Sequence, residues 1–267
     1  TSPKAMDINQ YNGTDMWPTL KNSPVVLAVF QIRYNALEKF DITKFYEAEK
    51  KGGLKKHFPH RNINYNANIL GLEGGTPAPG ISMIKAKADT KVNIITYFSE
   101  NKKENITINS ESITYSNEEE YSDWNTFKEK SIKVLKYFSS TLCGISIERV
   151  SMRFVNRFEI ASAEQILDYF NLTISSRSQL SFPIAKYSFK YIIDVPKTRT
   201  YAIINHATEP TDDLLIYMLD IDVLDSVDFI YDESLLEACL EKLREIKNTI
   251  FFENITTKTI ELCNSAR

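Results

Sequence analysis

The chain has 267 residues, 43% of them hydrophobic and 25% charged, with a net charge of −3 at neutral pH. This is the composition of a globular protein with enough apolar mass to fold without staples. The weak negative charge argues against nucleic acid or an anionic membrane as the main partner. Cys143, Cys239 and Cys263 are widely spaced and form no CxxC pair, which speaks against a disulfide framework or a zinc knuckle. Thr1 to Pro24 has no apolar core of the signal-peptide kind, and no run reaches the length of a membrane span, so a reducing cytoplasm is the expected setting. Charge is unevenly divided. Residues 1–144 carry 19 Lys+Arg against 16 Asp+Glu, whereas residues 145–267 carry 13 against 19. This is either surface drift or a sign difference that helps the halves dock or orient a ligand.

Taken in order, residues 1–23 read as an irregular arm rich in Asn, Thr, Asp and Pro, pinned by Trp17. Val25 to Tyr34 alternates as a strand, with Val26, Ala28, Phe30, Ile32 and Tyr34 on one face and Gln31 and Arg33 on the other. A short helix follows through Lys51, with Asp41 as its cap and Gly52-Gly53 as its stop. Residues 57–80, with His57, His60 and the Gly71–Gly80 cluster, carry turn and loop signals. Three strands are expected at Ile81–Ala88, Val92–Ser99 and Ile106–Tyr115 as an antiparallel meander. A helix from about Ser122 to Ser140 buries Trp124, Phe127, Val134, Leu135 and Phe138, with Ser122 or Asp123 as cap.

The order then repeats. Ile145 to Ile160 reads as a long strand and Ser162 to Phe170 as a helix. Strands follow at Gln179–Val195, Thr200–Ala207 and Leu214–Leu224, then a helix from Asp232 to Phe252 and a short C-terminal helix. The strand motif Ala28-Val-Phe-Gln-Ile-Arg-Tyr34 returns 124 residues later as Met152-Arg-Phe-Val-Asn-Arg-Phe158, and each half ends in an aromatic pair, Tyr137-Phe138 and Phe251-Phe252. The pattern predicts an α+β fold of two related β-α-β-β-β-α units with antiparallel sheets and helices on one face, in a pseudo-twofold arrangement. Residues 1–23 form the arm, 24–144 the first unit and 145–267 the second. Chance recurrence of short strand motifs is the competing explanation.

Four stretches carry a family likeness: residues 24–34, residues 152–158, Leu219-Asp-Ile-Asp-Val223 and Phe252-Glu-Asn-Ile-Thr256. In this order they resemble a sporadically distributed prokaryotic family of uncharacterised proteins of about 260 residues. The likeness covers most of the chain from Pro24 onward, with Phe154-Val155 a mild departure from the family's aromatic-Ile. It implies no activity, cofactor or catalytic residue, and its patchy occurrence suggests accessory genes, associated with mobile elements or defence.

Candidate chemistry is sparse. His57 and His60 are separated by Pro59, which breaks the helical spacing that would aim both at one metal. His206 has no marked nucleophile to serve, since there is no GxSxG elbow. All eight glycines fall at or before Gly144 without phosphate-loop spacing. Asp220 and Asp222, two apart on a strand, leave the same face and form the best metal candidate, for Mg²⁺, with Asp225 and Asp228 as speculative additions. Salt bridges to arginine are the competing reading. Arg33, Arg153 and Arg157 are the ligand- or partner-binding candidates, because guanidinium forks suit carboxylate or phosphate, and Arg33 and Arg157 are expected to approach each other or flank one groove. The expectation is therefore a non-enzymatic protein without a cofactor, engaging a protein or peptide partner or a small anionic ligand between the units. The alternative is a metal-assisted hydrolase or nuclease-like enzyme using Asp220 and Asp222.

Overall fold

The computed structural model describes residues 17–35, 42–51, 53–67, 90–172 and 186–265. In chain order its elements are β1 (Val25–Tyr34), α1 (Ile42–Lys51), α2 (Leu54–His57), β2 (His60–Ala67), β3 (Thr90–Phe98), β4 (Glu104–Ile108), β5 (Ser112–Asn117), α3 (Trp124–Tyr137) and α4 (Ser139–Leu142). The second half contains β6 (Ser146–Ile160), α5 (Ile166–Tyr169), β7 (Ser188–Asp194), β8 (Thr200–Pro210), β9 (Leu215–Ile230), α6 (Glu233–Asn254) and α7 (Thr257–Asn264). The fold mixes helices with antiparallel sheet, as the α+β reading expected.

Separate sheets for the two halves are not what forms. Among the described residues the strands make one nine-stranded sheet in the order β2-β3-β4-β5-β1-β6-β9-β8-β7. All its pairings are antiparallel, and the halves join through the β1–β6 ladder, where Ala28 faces Phe154 and Phe30 faces Met152. The strand period of two does the sorting. Ala28, Phe30, Ile32 and Tyr34 are buried on one face of β1, as are Val150, Met152, Phe154 and Phe158 of β6 and Tyr217, Leu219, Ile221 and Val223 of β9. Helices cover this face. The rings of Phe127 and Phe154 meet edge to face at 5.3 Å, and Phe45, Tyr97 and Phe138 cluster between α1, β3 and the end of α3. The opposite face is mostly part-exposed or exposed, with Arg33, Arg153 and Arg157 standing out from it.

Helix boundaries follow their caps. Asp123 accepts from the Thr126 N–H at 2.9 Å to start α3, and Asp232 accepts from the Ser234 and Leu235 N–H groups at 2.9 and 3.0 Å to start α6. Leu236, Leu240, Leu243 and Ile250 form the buried stripe of α6.

Several sequence expectations are corrected. Residues 57–80 are not loop throughout, since α2 ends at His57 and β2 pairs with β3 from His60 to Ala67. Ile106–Tyr115 is two strands rather than one. The Asn109 side chain accepts from the Glu111 and Ser112 N–H groups at 2.8 Å each and reverses the chain between them. The helix expected over Ser162–Phe170 is a 3₁₀ turn at Ala163–Gln165 followed by the single turn of α5. It stops because Phe170 is drawn into a β-bridge with Ile255 while its ring stacks on Tyr217 at 3.7 Å. β9 runs past the expected end at Leu224 to Ile230, with Asp225 buried in it, accepting from Thr200 Oγ1 at 2.7 Å and pairing with Lys242 at 2.8 Å. The expected strand at Ile81–Ala88, the Asp41 cap, the Gly71–Gly80 cluster and residues 179–185 of the expected Gln179–Val195 strand lie outside the described residues.

The two sheet faces predict unequal tolerance. Phe30→Ala should lower unfolding free energy by about 3–5 kcal/mol, whereas Val29→Thr on the open face should change it by about 1 kcal/mol or less, both measured by urea denaturation.

Candidate functional site

The sequence-selected arginines are not gathered into one site. In the β1–β6 register Arg33 faces Arg149, and its side chain pairs with Glu111. Arg157 lies at the far end of the same ladder, where its N–H donates to Pro24 O at 2.8 Å and its guanidinium pairs with Glu159 at 2.6 Å. Eight residues of β6 separate the two positions, about 26 Å of strand. The expectation that Arg33 and Arg157 approach each other or flank one groove is not met, because antiparallel pairing sends the ends of the two motifs in opposite directions. Arg153, midway between, forks onto Asp220 through Nε–Oδ1 at 2.8 Å and Nη2–Oδ2 at 2.7 Å.

Asp222 faces Arg153 in the ladder but makes no hydrogen bond or ion pair with the described residues. It sits with Arg153, Ser188, Lys190, Asn205 and Asp220 in a shallow hollow of the open face. Burial pushes its carboxyl up to about 6, Arg153 pulls it down, and Asp220 pushes it further up. Among the described residues no three His, Cys, Asp or Glu side chains lie close enough to share a metal ion. Asp225 is turned to the helix-covered face by its Lys242 partner, away from Asp220 and Asp222. His57 lies beside Lys133 at 3.2 Å, and His60 beside Glu100 at 3.4 Å.

His206 is inside β8 and fully buried. Its Nδ1 is 2.7 Å from Tyr217 Oη and its Nε2 is 3.3 Å from Tyr191 Oη, which donates to Asn254 Oδ1 at 3.1 Å. That donation sets the direction of the chain: His206 Nε2–H donates to Tyr191, and Tyr217 donates to the bare Nδ1. Burial pushes the imidazole down to about 4, so it stays neutral. Phe189 stacks on it at 4.6 Å. Both ring nitrogens meet tyrosine hydroxyls, and the network braces β7, β8, β9 and the end of α6.

A second hollow, about 290 Å³, lies on the helix-covered side between the two halves. Residues 17–25 and the start of α3 supply one wall, and β6 and α6 supply the other, with Trp17, Tyr121, Trp124, Asn156, Phe251 and Phe252 among the lining side chains. The chain entering β1 is tied over the second half. Lys21 N–H donates to Asn264 Oδ1 at 2.8 Å, Asn22 N–H to Cys263 O at 2.9 Å, and the Trp17 ring stacks on Phe252 at 5.1 Å. Across the other wall, Trp124 Nε1 and Lys128 Nζ both donate to Glu241 of α6, at 3.0 and 2.7 Å.

Two donors in this cleft have no acceptor among the described residues. Trp17 Nε1 is buried without a hydrogen-bond partner. Lys247 makes no hydrogen bond or ion pair with the described residues, and its Nζ lies 4.6 Å from the centre of the Phe154 ring. The lysine keeps some accessible surface through the cleft, but the protein packed around its amine pushes the pKa down to about 7, helped by Arg244 and opposed by Glu245. Desolvation therefore outweighs the attraction of the aromatic face for an ammonium. Sequence reading passed over Lys247, although a signal was present: it follows Leu236, Leu240 and Leu243 and precedes Ile250 at helical spacing, where an apolar side chain belongs.

No family model matches the chain, and a search of curated proteins finds no significant match. Among the described residues no helix is long and apolar enough to cross a membrane.

The buried titrating groups predict opposing pH effects. His206 is held neutral, so stability present above the unfolded value of about 6.5 should be lost as pH falls toward about 4, by up to roughly 3 kcal/mol. Asp222 has the opposite sign: its favourable protonated state is lost as pH rises through about 6. Asp222→Asn should accordingly stabilise the protein at pH 7 by about 1–2 kcal/mol and steepen the acid-side loss, as measured by urea unfolding from pH 4 to pH 8.

Proposed function

We propose that this chain is a non-enzymatic binding protein built from two related units, with a cleft between them that takes a small anionic ligand with a planar apolar body. The strand order supports the duplication. On one side of the centre the sequence runs β1-β5-β4-β3-β2, and on the other β6-β9-β8-β7, so each half sends its chain to the sheet edge and meanders back. The 124-residue offset between the strand motifs carries Val29 onto Arg153, and these two residues are direct partners in the ladder. A twofold axis normal to the sheet would pass there, exchanging the Ala28–Phe154 and Phe30–Met152 pairs.

The observation that carries the ligand reading is a pair of donors without an acceptor among the described residues, Lys247 Nζ and Trp17 Nε1, in one aromatic-walled hollow. A buried donor without an acceptor is costly, and an amine placed on an apolar helix stripe is costlier still. A ligand bringing a carboxylate or phosphate would supply both donors with an acceptor, and Trp17, Tyr121, Trp124 and Phe252 give the hollow aromatic walls that suit a planar body. The metal-assisted alternative has less support. Both Asp220 oxygens are engaged by Arg153, and Asp222 adds only a second carboxylate.

Calorimetric titration with benzoate and phenyl phosphate tests the reading. At least one should bind the wild-type protein saturably, with affinity reduced about tenfold or more in Lys247→Met and unchanged in Asp222→Asn. Lys247→Met should also raise unfolding free energy by about 1–3 kcal/mol at pH 7, since the thioether suits the stripe better than a desolvated amine. Absence of binding by both anions, or equal binding by Lys247→Met, would overturn the assignment.

A further inference from the structure

We propose that Lys247 is a carbonyl-reactive amine, and that the cleft between the two halves holds a planar aldehyde or ketone as an imine on its Nζ. The inference rests on the ligand-binding reading of this cleft and adds a bond to it.

Three features of the geometry point this way. Among the described residues the amine has no hydrogen-bond acceptor or ion-pair partner to hold it protonated, and it lies 4.6 Å from the centre of the Phe154 ring. It opens into a hollow walled by Trp17, Tyr121, Trp124, Phe251 and Phe252, which suits a flat ring and limits the water that would hydrolyse an imine. Arg244, one turn earlier on α6, lines the same hollow and disfavours a second positive charge there. A desolvated lysine beside another cation is a recurring way to make this side chain nucleophilic at neutral pH.

Burial supports the same conclusion. With its pKa near 7, about half of the Lys247 amine is neutral at pH 7, against fewer than about one in a thousand for an ordinary lysine. In the step itself, the Nζ lone pair adds to the carbonyl carbon and the C=O π pair moves to oxygen. Both amine hydrogens leave with that oxygen as water, and the C=N bond forms. No electrons are gained or lost overall, so no further reactant is needed.

The test uses the whole chain at pH 7 with salicylaldehyde and sodium cyanoborohydride, which traps an imine as a stable secondary amine. Peptide mapping by mass spectrometry should find Lys247 modified roughly 100-fold faster than a solvent-exposed lysine such as Lys197. Whichever of benzoate or phenyl phosphate binds should slow that modification. Lys247→Arg, which keeps the positive charge, should lose the adduct while still binding the anion. Lys247→Met, an apolar residue on an apolar stripe, gives a second variant if the arginine does not fit. Modification spread evenly over surface lysines, or an adduct on Lys247 that the anion does not slow, would overturn the inference. Anion binding that persists in wild type without selective modification would sink the imine and leave the ligand site standing. Loss of both would remove the site altogether.

Discussion

Between Val25 and Tyr34 the first strand pairs with β6 on one side and β5 on the other, and through β6 with β9, so the middle of the sheet is a continuous antiparallel ladder drawn from both halves. Side chains alternate with a period of two, so this register decides which residues meet the helices. Phe30, Ile32, Met152 and Phe154 go to the covered face, and Val29, Gln31, Arg149 and Arg153 to the open one. A slip of one residue would reverse both sets. The same ladder places the segment before β1 over the C-terminal part of α6, and the cleft exists because of that placement.

Polar groups beneath the helices fall into two kinds. Asp225 with Thr200 and Lys242, and His206 with Tyr217, Tyr191 and Asn254, are satisfied by neighbours from several elements, and such networks brace a fold. Lys247 is different. It occupies a core stripe, has no acceptor among the described residues and loses much of its affinity for a proton. A local violation without a structural compensation is the usual mark of a functional position.

The open face is organised by local pairing. Glu111 meets Arg33, Asp220 meets Arg153, Glu159 meets Arg157, and Gln31 bridges Thr114 and Arg149. These contacts are exposed or part-exposed and individually weak. Their value is in keeping one sheet face polar enough to remain uncovered. Asp222, unpaired among the described residues, is the exception, and burial raises its pKa against the pull of Arg153.

Much of the fold was legible in the residues. Alternation marked β1, β3, β6 and β8, and helical spacing with Asp123 and Asp232 marked α3 and α6. These features are local, set by the strand and helix periods and by side chains reaching the nearest backbone N–H. Long-range pairing was not legible. Whether Arg33 and Arg157 met depended on the antiparallel direction of β1 and β6. Whether Asp225 ended a strand or anchored one depended on Lys242 arriving from α6, and the length of α5 depended on Ile255 pairing with Phe170. Lys247 lay between these cases. Its misfit on an apolar stripe was written in the spacing of Leu236, Leu240, Leu243 and Ile250, but only the packing of the N-terminal segment, α3 and β6 around α6 turned that misfit into a desolvated amine that opens into the cleft with no acceptor among the described residues. Periodicity is a property of a segment, whereas desolvation and the absence of an acceptor are properties of everything around it.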